Sequence, residues 1–334
     1  MVCMRIAIVK LSALGDIIHA MIVLQVIKKH YENVSIDWFV EEKYKELLER
    51  HPDISEVHTL SIKRAKKDKS LLTFLNDLKR LKQLKSYDIV LDLQGLFKSG
   101  LITRLIPSKR KIGFDKTSIR ERLASVFYNE RYRISYEKNI VERNVGLINF
   151  AFDITSDVRE IENKKPFVFP NNDYFFDQIS TKKKNILIIP GASFASKCYP
   201  TEKYSKLVNQ INSNFLVTWG TDKEQKLAKS IKSMSPKIEI MDKLSINKLI
   251  SLIKKVDLVI GSDTGPTHLA WALNIPSITL YGPTPGYRNS YATTINRYIE
   301  SESKVNPYKI DRKDFSSWNW LCWTLKCITF GTKE

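Results

Sequence analysis

Asp257-Leu258-Val259-Ile260-Gly261-Ser262-Asp263-Thr264-Gly265-Pro266-Thr267-His268 is the stretch on which the reading of the fold turns. Asp257 introduces a short apolar run of strand length, and the next six residues are small or turn-forming. A helical pattern starts near Thr267. A strand that empties into a small-residue turn and then a helix is half of a parallel-sheet crossover. Backbone amides in such a turn can approach phosphate closely, beside the positive end of the helix dipole. Thr264 adds a hydroxyl donor, and His268 falls in the first helical turn. The glycine spacing matches neither a Walker loop nor the dinucleotide fingerprint. A plain β-α turn capped by Asp263 or Thr264 has the same composition, so the stretch alone leaves both readings open.

The same alternation extends in both directions. Apolar runs at Asn185–Ile189, Phe215–Trp219, Lys237–Met241, Asp257–Ile260 and Ser277–Tyr281 read as strands. Helical patterns at Glu202–Ile211, Asp222–Met234, Ser245–Lys254 and Thr267–Leu273 separate them. Towards the N-terminus, strands are expected at Arg5–Lys10, Ser35–Val40, Glu56–Leu60, Asp88–Leu93 and Lys111–Phe114, with helices at Ile17–His30, Tyr44–Arg50 and Leu71–Lys85. Near-continuous apolar strands interleaved with helices indicate parallel sheets covered on both faces. Two such halves in tandem predict an α/β chain of two Rossmann-like domains, residues 1–165 and 166–334. Asn163-Lys164-Lys165-Pro166 and Pro170-Asn171-Asn172 break the periodicity between them. Ligands in open sheets of this kind sit at the carboxyl ends of the strands, here expected to face a cleft between the domains.

Three further loops fall at expected strand ends. Pro190-Gly191-Ala192-Ser193-Phe194-Ala195-Ser196-Lys197 offers Lys197 as a point charge for phosphate and Ser193 as a hydroxyl donor. Trp219-Gly220-Thr221-Asp222-Lys223-Glu224 places Glu224 near a helix start, suited to ribose hydroxyls or simply to the helix dipole. Lys10-Leu11-Ser12-Ala13-Leu14-Gly15-Asp16 sets Asp16 at a helix start, as a cap or as a general base for an acceptor hydroxyl. Another strand ends in Asp92-Leu93-Gln94-Gly95, where Gln94, Lys98 and Ser99 are polar groups available to an acceptor.

The formal charge of +18 demands an anionic partner: nucleic acid, an acidic membrane surface or a phosphorylated substrate. Lys63, Arg64, Lys66, Lys67 and Lys69 cluster between an expected strand and helix, with Asp68 the only acid among them. Nucleic-acid binding calls for aromatics interleaved with such clusters, and Lys63–Lys69 contains none. No apolar run suits a secretory signal or a membrane span, so a cytoplasmic protein with peripheral membrane contact is expected. Cys3, Cys198, Cys322 and Cys327 read as free thiols, because a lone C-x4-C lacks the second half of a zinc site. Phe315–Trp323 carries three of the six tryptophans and reads as a terminal helix packed on the N-terminal domain, with membrane contact as the alternative.

Taken together in order, these pieces resemble the bacterial lipopolysaccharide heptosyltransferases, most closely their inner-core heptosyltransferase I branch. The resemblance rests on Arg5–Asp16, Tyr87–Ser99, Arg120–Ser125, Val141-Glu142-Arg143, Ser262–His268 and Tyr281-Gly282-Pro283-Thr284. It implies a GT-B architecture and inverting, metal-independent transfer of heptose from ADP-heptose to a Kdo sugar on lipid A, without a cofactor. By the same analogy Asp16 is the base, Ser193, Lys197, Thr264 and Gly265 hold the donor diphosphate, Asp263 and His268 meet the donor sugar, and Glu224 the ribose. The loop Lys63, Arg64, Lys66, Lys67, together with Gln94, Lys98 and Arg120, would meet the acceptor at the inner face of the cytoplasmic membrane. One departure is that relatives often carry two adjacent hydroxyl residues in the Lys197 loop, where Ala192-Ser193 supplies one. A nucleic-acid-binding protein and a non-catalytic sugar-nucleotide sensor are the alternatives.

Overall fold

The computed structural model describes residues 4–61 and 71–301. The basic loop Lys63–Lys67, the aromatic stretch Phe315–Trp323 and Cys3, Cys322 and Cys327 lie outside the described residues. The chain divides into two compact units between Asn171 and Asn172.

Each unit is built on a six-stranded sheet in which every pairing is parallel. In the first, β1 (Met4–Val9), β2 (Val34–Glu41), β3 (Glu56–Leu60), β4 (Tyr87–Asp92), β5 (Ser108–Phe114) and β6 (Glu130–Tyr132) run in the order β3-β2-β1-β4-β5-β6. In the second, β7 (Asn185–Ile189), β8 (Asn214–Val217), β9 (Ile238–Ile240), β10 (Leu258–Ser262), β11 (Ser277–Tyr281) and β12 (Asn296–Glu300) run β12-β11-β10-β7-β8-β9. Counted within each unit, both orders are 3-2-1-4-5-6, the doubly wound arrangement of dinucleotide-binding sheets. The expected α/β fold with two Rossmann-like sheets is therefore present.

The strands are apolar on both faces because both faces are covered. In β7, Ile186 and Ile188 pack with Phe215, Val217 and Ile260 against Tyr204, Val208 and Ile231 of flanking helices. The alternate residues Leu187, Ile189, Leu216 and Val259 are buried as well. In the first sheet, Ala7, Val9, Phe39 and Val90 pack against Leu81, Ile102 and Ile106. Among the described residues, no helix is long and apolar enough to cross a membrane.

Differences from the sequence reading have local causes. The edge strands β6 and β12 were not expected, since Glu130-Arg131-Tyr132 and Asn296–Glu300 carry no apolar run; an edge strand needs none. Helices Phe97–Leu105 and Ile140–Phe152 were also not singled out. The second is announced by Asn139, whose side chain accepts from the Val141 amide. The helix expected at Tyr44–Arg50 stops at Leu48 after a 3-10 start, because Pro52 disfavours helical backbone at His51. The helix after β10 begins at Gly265 rather than Thr267, with Pro266 in its first turn, where a missing amide hydrogen costs nothing.

Candidate functional site

A doubly wound sheet reverses direction between its first and fourth strands, and the loops leaving those two strands splay apart into a crevice. In the second unit these strands are β7 and β10, hydrogen-bonded neighbours. The loops that follow them are 190–197 and 262–268, the two that the sequence marked for phosphate. The sheet brings them together. Lys197 Nζ lies 2.5 Å from Asp263 Oδ2, Thr284 Oγ1 donates to the same oxygen at 2.9 Å, and His268 Nε2 is 3.2 Å from Asp263 Oδ1. Behind them the Tyr199 amide donates to Ser262 Oγ at 3.1 Å, tying one loop to the other.

Asp263 is buried, and burial alone would raise its pKa. The Lys197 ammonium and the His268 hydrogen bond outweigh that penalty and hold the carboxyl well below the usual carboxylate range. The result is a lysine held at the mouth of the turn, with its Nζ over the Phe194 ring, 5.4 Å from the centroid.

Neither side chain nominated as a helix cap performs that role. Thr264 occupies the N-cap position in extended backbone without a side-chain capping bond, and Asp263 is committed to Lys197. Gly265 opens the helix. The turn can be this tight because Gly261 has no Cβ: one added there would collide with Thr267 Oγ1 and stand 2.9 Å from the Ile189 carbonyl oxygen. Thr267 Oγ1 in turn donates to the Ser262 carbonyl at 2.9 Å.

Glu224 Oε2 accepts from the Gly220 and Thr221 amides, both at 2.8 Å, while Thr221 Oγ1 accepts from the Glu224 amide. This reciprocal box realises the helix-start reading of Glu224. The same side chain packs on Gly191, where a Cβ would overlap it. Glu224, Gly191, Thr218, Trp219, Thr264 and Pro266 line a small cleft of about 80 Å³ beside the phosphate-suited turn. Ser193 is exposed on its loop.

In the first unit the equivalent strands are β1 and β4, again hydrogen-bonded neighbours. Asp16 is the third residue of helix Leu14–His30 rather than its cap; it is exposed, and its Oδ2 accepts from the Ala13 amide at 3.1 Å. Gln94 Oε1 accepts from the Leu11 and Ser12 amides at 2.8 and 3.1 Å, so it holds the loop that delivers Asp16. Gln94 is itself held by Asp92, which is fully buried and accepts from the Gln94 and Gly95 amides and from Tyr128 OH at 2.7 Å. Burial raises the Asp92 pKa, and these hydrogen bonds oppose the rise. Lys10 Nζ donates to the Leu93 carbonyl at 2.8 Å, locking the two loops from below. Lys98 pairs with buried Glu41 at 3.1 Å, and Arg120 is exposed.

Thr284 and the Tyr128–Asp92 pair were missed as site-supporting residues. Thr284 could have been found as a hydroxyl just past strand β11; nothing in the sequence links Tyr128 to Asp92. Elsewhere in the first sheet Asp37, Glu56 and His58 approach one another as metal-ligand types, but Asp37 Oδ2 already accepts from Tyr87 OH at 2.6 Å and lies 3.4 Å from Arg5.

Residues 77–309 match glycosyltransferase family 9 (heptosyltransferase). The chain is 40% identical to lipopolysaccharide heptosyltransferase 1 of Campylobacter coli, over 93% of this chain and 94% of the relative. It is 28% identical to the enzyme of the same name from Escherichia coli K12, over 86% of this chain and 91% of the relative. Among solved structures, E. coli heptosyltransferase WaaC with ADP-2-deoxy-2-fluoro heptose superposes with a TM-score of 0.73 at 25% identity, covering 95% of this chain and 98% of that one. Sheets of this order, loops of this chemistry and relatives of this similarity agree: the chain belongs to glycosyltransferase family 9, the heptosyltransferases.

Proposed function

We propose that this glycosyltransferase moves L-glycero-D-manno-heptose from ADP-heptose to a Kdo residue of lipid A in the synthesis of the lipopolysaccharide inner core, with inversion and without a metal. The observation that carries the donor assignment is the Lys197–Asp263–His268 cluster at the switch point of the second sheet. The relative solved with an ADP-heptose analogue supports the same donor. The division of labour follows, with the first unit taking the acceptor and the second the donor. In the reaction, Asp16 accepts the proton of an acceptor hydroxyl as its oxygen attacks the anomeric carbon. The bond from that carbon to the β-phosphate oxygen breaks, and ADP departs with the bonding electron pair. Lys197 and the backbone at Thr264-Gly265 take up the charge that develops on the diphosphate, with Ser193 contributing a hydroxyl. Asp263 and His268 face the heptose, and Glu224 borders the nucleoside cleft. Lys98, Gln94 and Arg120, with the loop Lys63, Arg64, Lys66 and Lys67, serve the acceptor side. The charge of +18 supports a peripheral association with an anionic membrane surface on the cytoplasmic side.

The test is a mass-spectrometric assay of purified protein with ADP-heptose and Kdo-lipid A. A product heavier by one heptose is expected. Asp16→Ala should cut turnover by roughly 10²-fold or more, the scale of a general base, while donor affinity by calorimetry stays within about twofold. Donor binding with no turnover in the unaltered protein would instead make it a sugar-nucleotide sensor. Unchanged turnover in Asp16→Ala would remove the base from Asp16.

A further inference from the structure

Large apolar side chains exposed on a folded surface carry information when they gather beside polar groups of one kind. In the first unit Leu123 is 68% exposed, Val126 64% and Phe97 47%. Phe97 opens helix Phe97–Leu105, and the other two lie on the 3-10 turn Arg122–Phe127 packed against that helix. A 3-10 helix has three residues per turn, so side chains at i and i+3 eclipse one another. Ala124 and Phe127 therefore share one column, and it faces the helix. A Cβ at Gly100 would stand 2.7 Å from Phe127 Cδ2 and 3.1 Å from the Ala124 carbonyl oxygen. The Phe127 ring meets the Phe97 ring edge-on, with centroids 5.2 Å apart. Leu123 and Val126 share the next column, which is turned to solvent.

The fold keeps that column outward. The Ala124 amide donates to the Glu121 carbonyl at 2.8 Å, Ser125 Oγ to the Arg122 carbonyl at 2.9 Å, and Arg131 Nε to the Ser125 carbonyl at 2.8 Å. Just before the turn, Ile119 is buried against Gly95, where a Cβ would stand 2.6 Å from Ile119 Cγ2. Gly95 follows Gln94, whose side chain holds the loop before Asp16. The segment that carries the column is thus anchored at the same end of the sheet as Asp16.

The charged neighbours offer one sign to a partner. Asp115 accepts from Thr117 Oγ1 and Ser118 Oγ at 2.8 and 2.6 Å, Glu121 Oε2 accepts from the Phe97 amide at 2.7 Å, and Glu130 pairs with Arg110 at 2.7 Å. Lys116, Arg120 and Arg122 are exposed. Hydrocarbon flanked by cations is complementary to a bilayer of anionic lipids, which presents phosphate at its surface and hydrocarbon beneath. A nucleic acid would match the cations alone, because Leu123 and Val126 offer no ring on which a base can stack.

We propose that the Leu123–Val126 column, with Phe97 at its margin, is the surface by which the protein docks on an anionic bilayer. Its apolar side chains enter below the head groups, and Lys116, Arg120 and Arg122 meet lipid phosphate. Docking there brings the end of the sheet that bears Asp16 to the membrane. The inference rests on the anionic membrane partner of the proposed function and is independent of the transfer chemistry.

The test is co-sedimentation of the full chain with vesicles of phosphatidylglycerol and phosphatidylcholine in equal parts, with phosphatidylcholine alone as the uncharged control. Binding to the mixed vesicles is expected, at least roughly tenfold stronger than to the control, since each basic group near the surface contributes about fivefold. Leu123→Ser combined with Val126→Ser should weaken it roughly tenfold or more, as loss of two apolar contacts implies. Lys116→Gln combined with Arg122→Gln should weaken it roughly tenfold. Phe175→Ser, which alters an 85% exposed side chain of the second unit, should leave it unchanged. Far-ultraviolet circular dichroism and retained ADP binding verify that each variant is folded. Undiminished vesicle binding by the Leu123→Ser, Val126→Ser variant overturns the docking surface while leaving a membrane partner standing, and an equal loss in Phe175→Ser does the same. Failure of the unaltered protein to bind the mixed vesicles overturns both, whatever its turnover on Kdo-lipid A. A dimer in sedimentation velocity that the Leu123→Ser, Val126→Ser variant splits would make the column a protein interface and overturn the proposal.

Discussion

Asp263 gathers Lys197, His268 and Thr284 on one buried carboxylate, and its energetics follow from that crowding. Removing one partner of a buried ion pair leaves the other charge uncompensated, at a cost of about 3–5 kcal/mol. Asp263→Asn should therefore lower the stability of the second unit by about that amount, read from urea unfolding of the ligand-free protein. The pH dependence has a definite sign. A carboxyl whose pKa is lower folded than unfolded stabilises above the unfolded value, about 3.9, and loses that contribution as pH falls through the folded one. The gap in thermal midpoint between wild type and Asp263→Asn should be constant from about pH 5 to 7 and narrow below about pH 4. A gap that widens on acidification would contradict the pairing. At this scale the sequence was informative about residue type but not about partner. Asp263, Lys197 and His268 were all legible as candidates; that the first clamps the second depends on strands β7 and β10 being neighbours, although paired residues such as Ile186 and Leu258 are 72 positions apart in the chain. Gln94 shows the converse. Its side chain was open to an acceptor in the sequence, and the fold spends its Oε1 on the amides that position Asp16.

Elements were readable wherever their two faces are buried. β7 and β11 begin and end where their apolar runs do, and helix Asp222–Met234 matches its amphipathic pattern from the Thr221 cap onwards. The polar edge strands β6 and β12 were invisible because an edge is specified by its neighbour's free backbone groups, not by its own side chains. The turn after β10 permits a sharp test at this scale. Gly261→Ala would press a methyl against the Ile189 carbonyl, a backbone group that cannot rotate away. A loss of about 1–3 kcal/mol in urea unfolding is expected, together with weaker ADP binding by calorimetry, since the displaced backbone carries the phosphate-suited turn. Gly220→Ala is the matched control: its Cβ would meet only Glu224 Oε2, at 3.3 Å, and should be tolerated far better.

Across the whole molecule the charge of +18 is a long-range field, and long-range fields are screened by salt. Raising ionic strength from about 0.01 to about 0.1 M shortens the Debye length from about 30 to about 10 Å. The KM for an anionic lipid acceptor should rise roughly threefold or more over that range, while the KM for ADP-heptose changes less, because Lys197 is mostly shielded from solvent. Steady-state kinetics at the two salt concentrations would check it; equal sensitivity of both constants would count against a basic acceptor surface. The sequence by itself determined the fold class, the tandem of two sheets and the strand-end loops, because burial on both faces and the switch from strand to helix are written in local periodicity. It determined the family as well, through motifs kept in order along most of the chain. Only the tertiary structure decided which loops share a switch point, that Asp263 is neutralised by Lys197, and that the Gln94 side chain holds the loop before Asp16. Those facts depend on contacts between residues distant in the chain, and no local pattern of side chains encodes a distance.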